Sequence, residues 1–176
     1  MKLKRSTSRE KCTVRQQGAT LIQMMLALAM AAVLIQLGMP AYNGLSDDLH
    51  RAAAARDLVQ ALRSARSHAL LQGQAVLVLP LESDWGKGWR VMLAHNQQVL
   101  REQRLVRPLR IVANTAEQVK FSALGVPQGR NANLLGGTLH ICQAGAAASQ
   151  YRVVLATSGR LSLRTDELFE PLCAGS

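Results

Sequence analysis

The residues able to do chemistry are few and scattered. Four histidines, His50, His68, His95 and His140, stand apart from one another, without metal-ligand spacing and without a nucleophile motif beside any serine. Glu82 and Asp84 flank Trp85, where a turn before a strand accounts for them. His140, Cys142 and Cys173 offer zinc-compatible side chains, but no clear fourth ligand accompanies them. The glycine pairs fit hairpins better than phosphate cradles. This pattern predicts neither an enzyme nor a resident cofactor or metal. Arginines are the stronger chemical signal. Arg160 and Arg164 differ by four, so on a strand they project to one face. With Arg152 they would form a short basic stripe able to touch phosphates without reading bases. Aromatic residues make up only 3% of the chain, which leaves little for base stacking. An exposed hairpin decorated with arginines is the simpler expectation.

The whole chain has 176 residues and a net charge of +10, with 48% hydrophobic and 18% charged residues. That balance is too apolar for a disordered chain and too polar for a protein with many membrane spans. The length suits one domain with a short appendage. No internal repeat marks a solenoid or propeller.

Charge is segregated. Lys2, Lys4, Arg5, Arg9, Lys11 and Arg15 against Glu10 give residues 1–18 half of the net charge. Residues 21–39 then carry none. At about 1.5 Å of rise per residue such a helix would nearly cross a hydrocarbon core roughly 30 Å thick. The basic flank predicts a cytoplasmic N-terminus and a body on the far side. A secretory signal would have a shorter apolar core and a break after it, whereas here helical sequence continues. Gly38 and Pro40 should kink that helix rather than end it. Beyond them Ala55, Leu58, Leu62, Ala65 and Ala69 recur at helical spacing, with Arg56, Gln60, Arg63 and Ser67 on another face. Gly73 reads as a C-cap.

After Gly73 the pattern changes to strands. Runs at 75–79, 89–94, 99–103, 109–113, 119–123, 138–142, 151–157 and 160–164 are bounded by Gly86-Lys87-Gly88, Gly125-Val126-Pro127 and Gly136-Gly137. The expected class is α+β: a long N-terminal helix packed on an antiparallel β-sheet head. The organisation is 1–18 basic leader, 19–40 membrane half of the helix, 41–73 soluble amphipathic half and 74–176 β-rich head.

Two segments carry a resemblance. Gly18-Ala19-Thr20-Leu21-Ile22-Gln23 resembles the type IV prepilin cleavage site. Arg51 through Val76 resembles the helix-to-strand segment of GspH/FimT-type minor pilins and pseudopilins, and Gly88-Trp89 and Ser158-Gly159-Arg160 also fit. The resemblance implies cleavage after Gly18 by prepilin peptidase, an N-methylated Ala19, and a pilin-like fold anchored in the bacterial inner membrane with a periplasmic head. Pro40 matches a position where many pilin helices carry proline. Ala19 replaces the usual Phe. Gln23 stands where the family has a Glu that pairs with a neighbour's terminal amine; a neutral amide supplies no charge attraction, and members lacking that Glu sit at filament tips. Implied partners are other minor pilins or pseudopilins, the major pilin, the peptidase and membrane lipid.

With the leader removed Cys12 is lost, and Cys142 and Cys173 become an even pair in an oxidising compartment, which suggests one disulfide. The implied function is a minor subunit that starts or caps a type IV pilus. The alternatives are a DNA-binding minor pilin for DNA uptake and a type II secretion pseudopilin. FimT-type proteins associated with DNA uptake carry a G-R-x-R motif; here Gly159 and Arg160 match and Ser162 replaces the second Arg.

Overall fold

The structure, a computed structural model, describes residues 20–114, 117–129, 131 and 133–174. Gly18, Ala19 and Cys12 lie outside them. Two compact units divide the chain, Met1–Gly44 and Leu45–Ser176.

A single helix, α1 (Leu21–Gln72), continues through residue 40. Its start is closed by a reciprocal cap. Thr20 Oγ1 accepts from the Gln23 amide at 3.4 Å, and Gln23 Oε1 accepts from the Thr20 amide at 3.1 Å, so side chains satisfy two donors that no helical carbonyl reaches. In the first unit the large apolar side chains lie open, from Leu21 at 76% exposure to Ile35 at 57%. Among the described residues no helix is long and apolar enough to cross a membrane. The membrane half expected at 19–40 therefore rests on the sequence run.

The second unit holds the head. One sheet has the order β3-β2-β1-β5-β6, built from β1 (Val76–Leu81), β2 (Asp84–Leu93), β3 (Val99–Arg104), β5 (Val119–Phe121) and β6 (Pro127–Gln128). The other has the order β10-β8-β7-β4, with β9 also paired to β8; its strands are β4 (Ile111–Ala113), β7 (Gly137–Cys142), β8 (Ala148–Leu155), β9 (Leu161–Arg164) and β10 (Leu168–Phe169). All named pairings are antiparallel. A 3₁₀ turn, Pro171–Cys173, follows β10.

The helix stripe read from the sequence is the centre of the core. Ala55, Leu58, Leu62, Ala65 and Ala69 are wholly buried against Val76, Val78, Trp89, Val119 and Phe121 of the first sheet and Leu139, Ile141, Val153 and Leu155 of the second. Alanines at three of the five positions let the helix backbone approach both sheets, and each fully buried leucine contributes roughly 1.5–3 kcal/mol. The opposite residues Arg56, Gln60, Arg63 and Ser67 are exposed. Gly73 has φ +61°, and the Gln74 amide returns to the Ala69 carbonyl at 3.2 Å, the bond of a Schellman C-cap.

Strand content was largely legible, with two differences. Gly86-Lys87-Gly88, expected as a turn, lies inside β2. Its glycines serve close backbone approach instead: a Cβ on Gly86 would fall 1.7 Å from the Leu109 carbonyl oxygen, and one on Gly88 2.1 Å from that of Gln103. The actual β1–β2 turn is Glu82-Ser83, both at positive φ (52° and 62°). Strands β6 and β10, two residues each, are too short to leave a periodic signal.

Candidate functional site

The second half of α1 and the β8–β9 turn build a basic groove. Arg63, Arg66, Ser67 and Leu70 from the helix face Gly159, Arg160 and Leu161 across a cavity of about 390 Å³, and none of these lining residues is acidic. Two of the arginines are positioned by backbone carbonyls. Arg66 Nε donates to Gly125 O at 3.0 Å and its Nη2 to Ser158 O at 3.3 Å. Arg63 Nη2 donates to Leu161 O at 3.2 Å. The acceptors are carbonyls and not carboxylates, so these bonds orient the guanidiniums without cancelling the groove's positive charge. Arg160 is exposed at the rim.

The expected basic stripe is therefore rearranged. Arg152 does stand opposite Arg164 on the β8–β9 ladder, but it forms an ion pair with Asp166 and its side chain is only 15% exposed. That removes it from a solvent-facing stripe. Asp166 is in turn held below the ordinary carboxylate range, by a backbone hydrogen bond first and by Arg152 in addition. Arg164 is exposed. Arg160 precedes β9 and joins Arg63 and Arg66 rather than Arg152. Local spacing puts Arg63 on a solvated face and assigns Arg66 no role, because the acceptors of both are distant in the chain, 98 and 59 residues away.

The second site feature is the C-terminal tie. Cys142 of β7 is bonded to Cys173, 31 residues on. Both thiols are thereby consumed, which rules them out as zinc ligands beside His140. That histidine is buried on β7, 3.4 Å from Glu170. Burial pushes its pKa below the ordinary value; Glu170 opposes this and Arg152 adds to it. Among the described residues no group of His, Cys, Asp or Glu is arranged to hold a metal. Trp85, Trp89 and Phe121 are buried in the core and provide no stacking surface.

Gln23 is engaged within its own helix by the cap with Thr20. Its amide carbonyl thus has an intrachain donor. Pro40 lies within the backbone span of α1.

A long helix whose small-residue face is buried by a two-sheet antiparallel head, closed at its C-terminus by a disulfide, defines a pilin-like protein. A family model described as "Type II transport protein GspH" matches residues 54–159, more than half of the chain, and the chain belongs to that family. It is accordingly a pilin-like structural subunit of the GspH/FimT type. The fold is similar to that of the type IV minor pilin FimU of Pseudomonas aeruginosa (strain PAO1) in two crystal forms. One has 23% identity and a TM-score of 0.58, covering 72% of this chain and 98% of that one. The other has 23% identity and a TM-score of 0.52, covering 68% and 98%. No curated protein sequence matches.

Proposed function

We propose that this chain is a minor pilin of a type IV pilus that starts or caps the filament. The observation that carries the reading is the open apolar surface of α1 between Leu21 and Ile35. Among the described residues none covers it, so lipid would bury it before assembly and neighbouring helices after. The basic leader and the Gly18-Ala19 junction supply the processing signal, and Ala19 becomes the N-methylated terminus after cleavage by prepilin peptidase. The head would then lie in the periplasm and choose neighbours among other minor subunits and the major pilin. Engagement of Gln23 by its own helix cap, with no carboxylate to attract an incoming amine, favours a terminal place in the filament.

The test is the mature N-terminus and the membrane fraction. Intact mass and N-terminal sequencing should give a methylated Ala19; a chain still beginning at Met1 would reject processing. Met30→Asp should abolish membrane insertion or assembly, and normal incorporation of that variant would overturn the burial mechanism. A type II secretion pseudopilin shares all of these steps. Complementation of a pilus-minus strain against a secretion-minus strain separates the two.

The groove of Arg63, Arg66 and Arg160 supports a second reading, DNA binding through backbone phosphates during uptake. It predicts binding that weakens steeply with salt and falls in the Arg63→Ala, Arg160→Ala variant. Absence of binding at low salt would leave an assembly subunit alone.

A further inference from the structure

A second basic cavity lies beside Cys142, against the start of the head's share of α1. It measures about 220 Å³ and is walled by Asp47, His50 and Arg51 of α1, by Arg107 and Arg110 of the β3–β4 connection, and by Cys142. Arg51 is the unusual member. It is only 9% exposed, its Nη2 is 3.5 Å from Asp48, and its buried Nε has no hydrogen-bond partner among the described residues. A guanidinium this far buried in a cavity wall and only loosely matched by one carboxylate is costly to desolvate, and an anion in the cavity would offset that cost.

The other groups set the charge of the cavity. Arg107 Nη2 is paired to Asp47 at 2.8 Å. His50 Nε2 contacts the Arg107 carbonyl oxygen at 3.0 Å, which anchors the loop against the helix. Arg110 Nη2 donates to the Leu172 carbonyl at 3.1 Å, beside the disulfide, a bond that brings no negative charge to the cavity. Arg51, Arg107 and Arg110 against Asp47 and Asp48 leave one positive charge in excess. Asp48 is also held in place by the Tyr151 hydroxyl, which donates to it at 3.2 Å.

We infer that this cavity is an oxyanion site for a singly charged phosphodiester, with Arg51 and Arg110 as the donors. A monoanion matches the excess charge, and the guanidiniums of Arg51 and Arg110 in the cavity wall supply the charge-assisted donors an oxyanion takes. The source to which the surroundings point is an anionic phospholipid headgroup. Leu45 and Leu49, in the same turns of α1 as Asp47 and Arg51, are 60% and 59% exposed, so apolar and cationic groups share this end of the head, the pairing found at a membrane surface. This source rests on the membrane reading of residues 21–39; the oxyanion site itself does not.

The experiment uses the full chain with its disulfide intact, in a neutral detergent and in vesicles. ¹⁵N-arginine Nε resonances are followed during titration with sodium phosphate, with dihexanoyl-phosphatidylglycerol, with uncharged dihexanoylglycerol and with a short oligonucleotide. The lipid should shift the Arg51 signal saturably and the uncharged analogue should not. Arg110→Gln, at an exposed position, should weaken the lipid's affinity about tenfold or more while the fold, followed by circular dichroism, is retained. Arg107→Gln should act in the same direction. Saturation by inorganic phosphate together with the lipid supports the shared chemistry. Saturation by phosphate or by the oligonucleotide without the lipid would overturn the headgroup source, and no shift with any anion would overturn the site. Cosedimentation with neutral phosphatidylcholine vesicles reports membrane insertion separately, so loss of that reading is distinguishable from loss of the site.

Discussion

The Arg66 guanidinium passes directly over the α-carbon of Gly159. A Cβ at position 159 would lie 2.8 Å from Arg66 Nε and 2.8 Å from the Gly125 carbonyl oxygen that Arg66 holds, at a backbone φ of +81°. One glycine therefore permits both the β8–β9 turn and the clamp that joins this turn to α1 and to the Gly125 turn.

Gly159→Ala should cost about 2 kcal/mol or more, combining left-handed backbone strain with displacement of Arg66. Chemical denaturation measures the loss. Arg66→Ala should loosen the same turn without the backbone strain and be milder. If the two variants were equally stable to wild type, the clamp would carry no energy.

The disulfide closes a loop of 31 residues. Constraining the unfolded chain over that length is worth about 3–4 kcal/mol. Cys142→Ala with Cys173→Ala should lower the denaturation midpoint by a corresponding amount. It should also free the 3₁₀ turn, so that Arg110 loses the ordered Leu172 carbonyl. A reduced and an oxidised sample melting together would contradict this.

His140 gives a pH dependence of definite sign. Its pKa in the fold is pushed below the ordinary 6.5, chiefly by burial, so the unfolded chain takes up a proton more readily than the folded one. Its contribution is complete above that ordinary value and is lost as pH falls from 6.5 toward the depressed value. Stability measured between about pH 7.5 and pH 5 should decline, and part of the slope should vanish in His140→Gln. An unchanged slope would assign the decline to other groups.

Ala65 is wholly buried where α1 meets the sheets. Ala65→Leu would insert three carbons where the helix backbone already touches its neighbours and should cost about 1–3 kcal/mol. Ser83→Gly acts the other way. At φ +62° serine is strained in a two-residue hairpin turn, and glycine should gain roughly 0.5–1 kcal/mol. Thermal unfolding of both variants distinguishes these signs.

Several features were settled by the sequence alone, since local patterns encode them. The stripe from Ala55 to Ala69 has helical period, Gly73 ends it, and the runs beyond alternate as strands do. These contacts lie within a few residues of one another, so periodicity suffices to reveal them. Cys142 and Cys173 were pairable because the third thiol, Cys12, stands far off in the basic N-terminal run. The tertiary structure decided what depends on distant chain segments. It drew Arg152 to Asp166 and so out of the solvent-facing stripe, and it set Arg160 beside Arg63 and Arg66. It turned Gly86 and Gly88 from apparent turn residues into points of close backbone approach. An arginine's spacing states which face it can reach, but its partner is chosen by the fold, because a carbonyl or carboxylate tens of residues away competes with solvent only after the chain has packed.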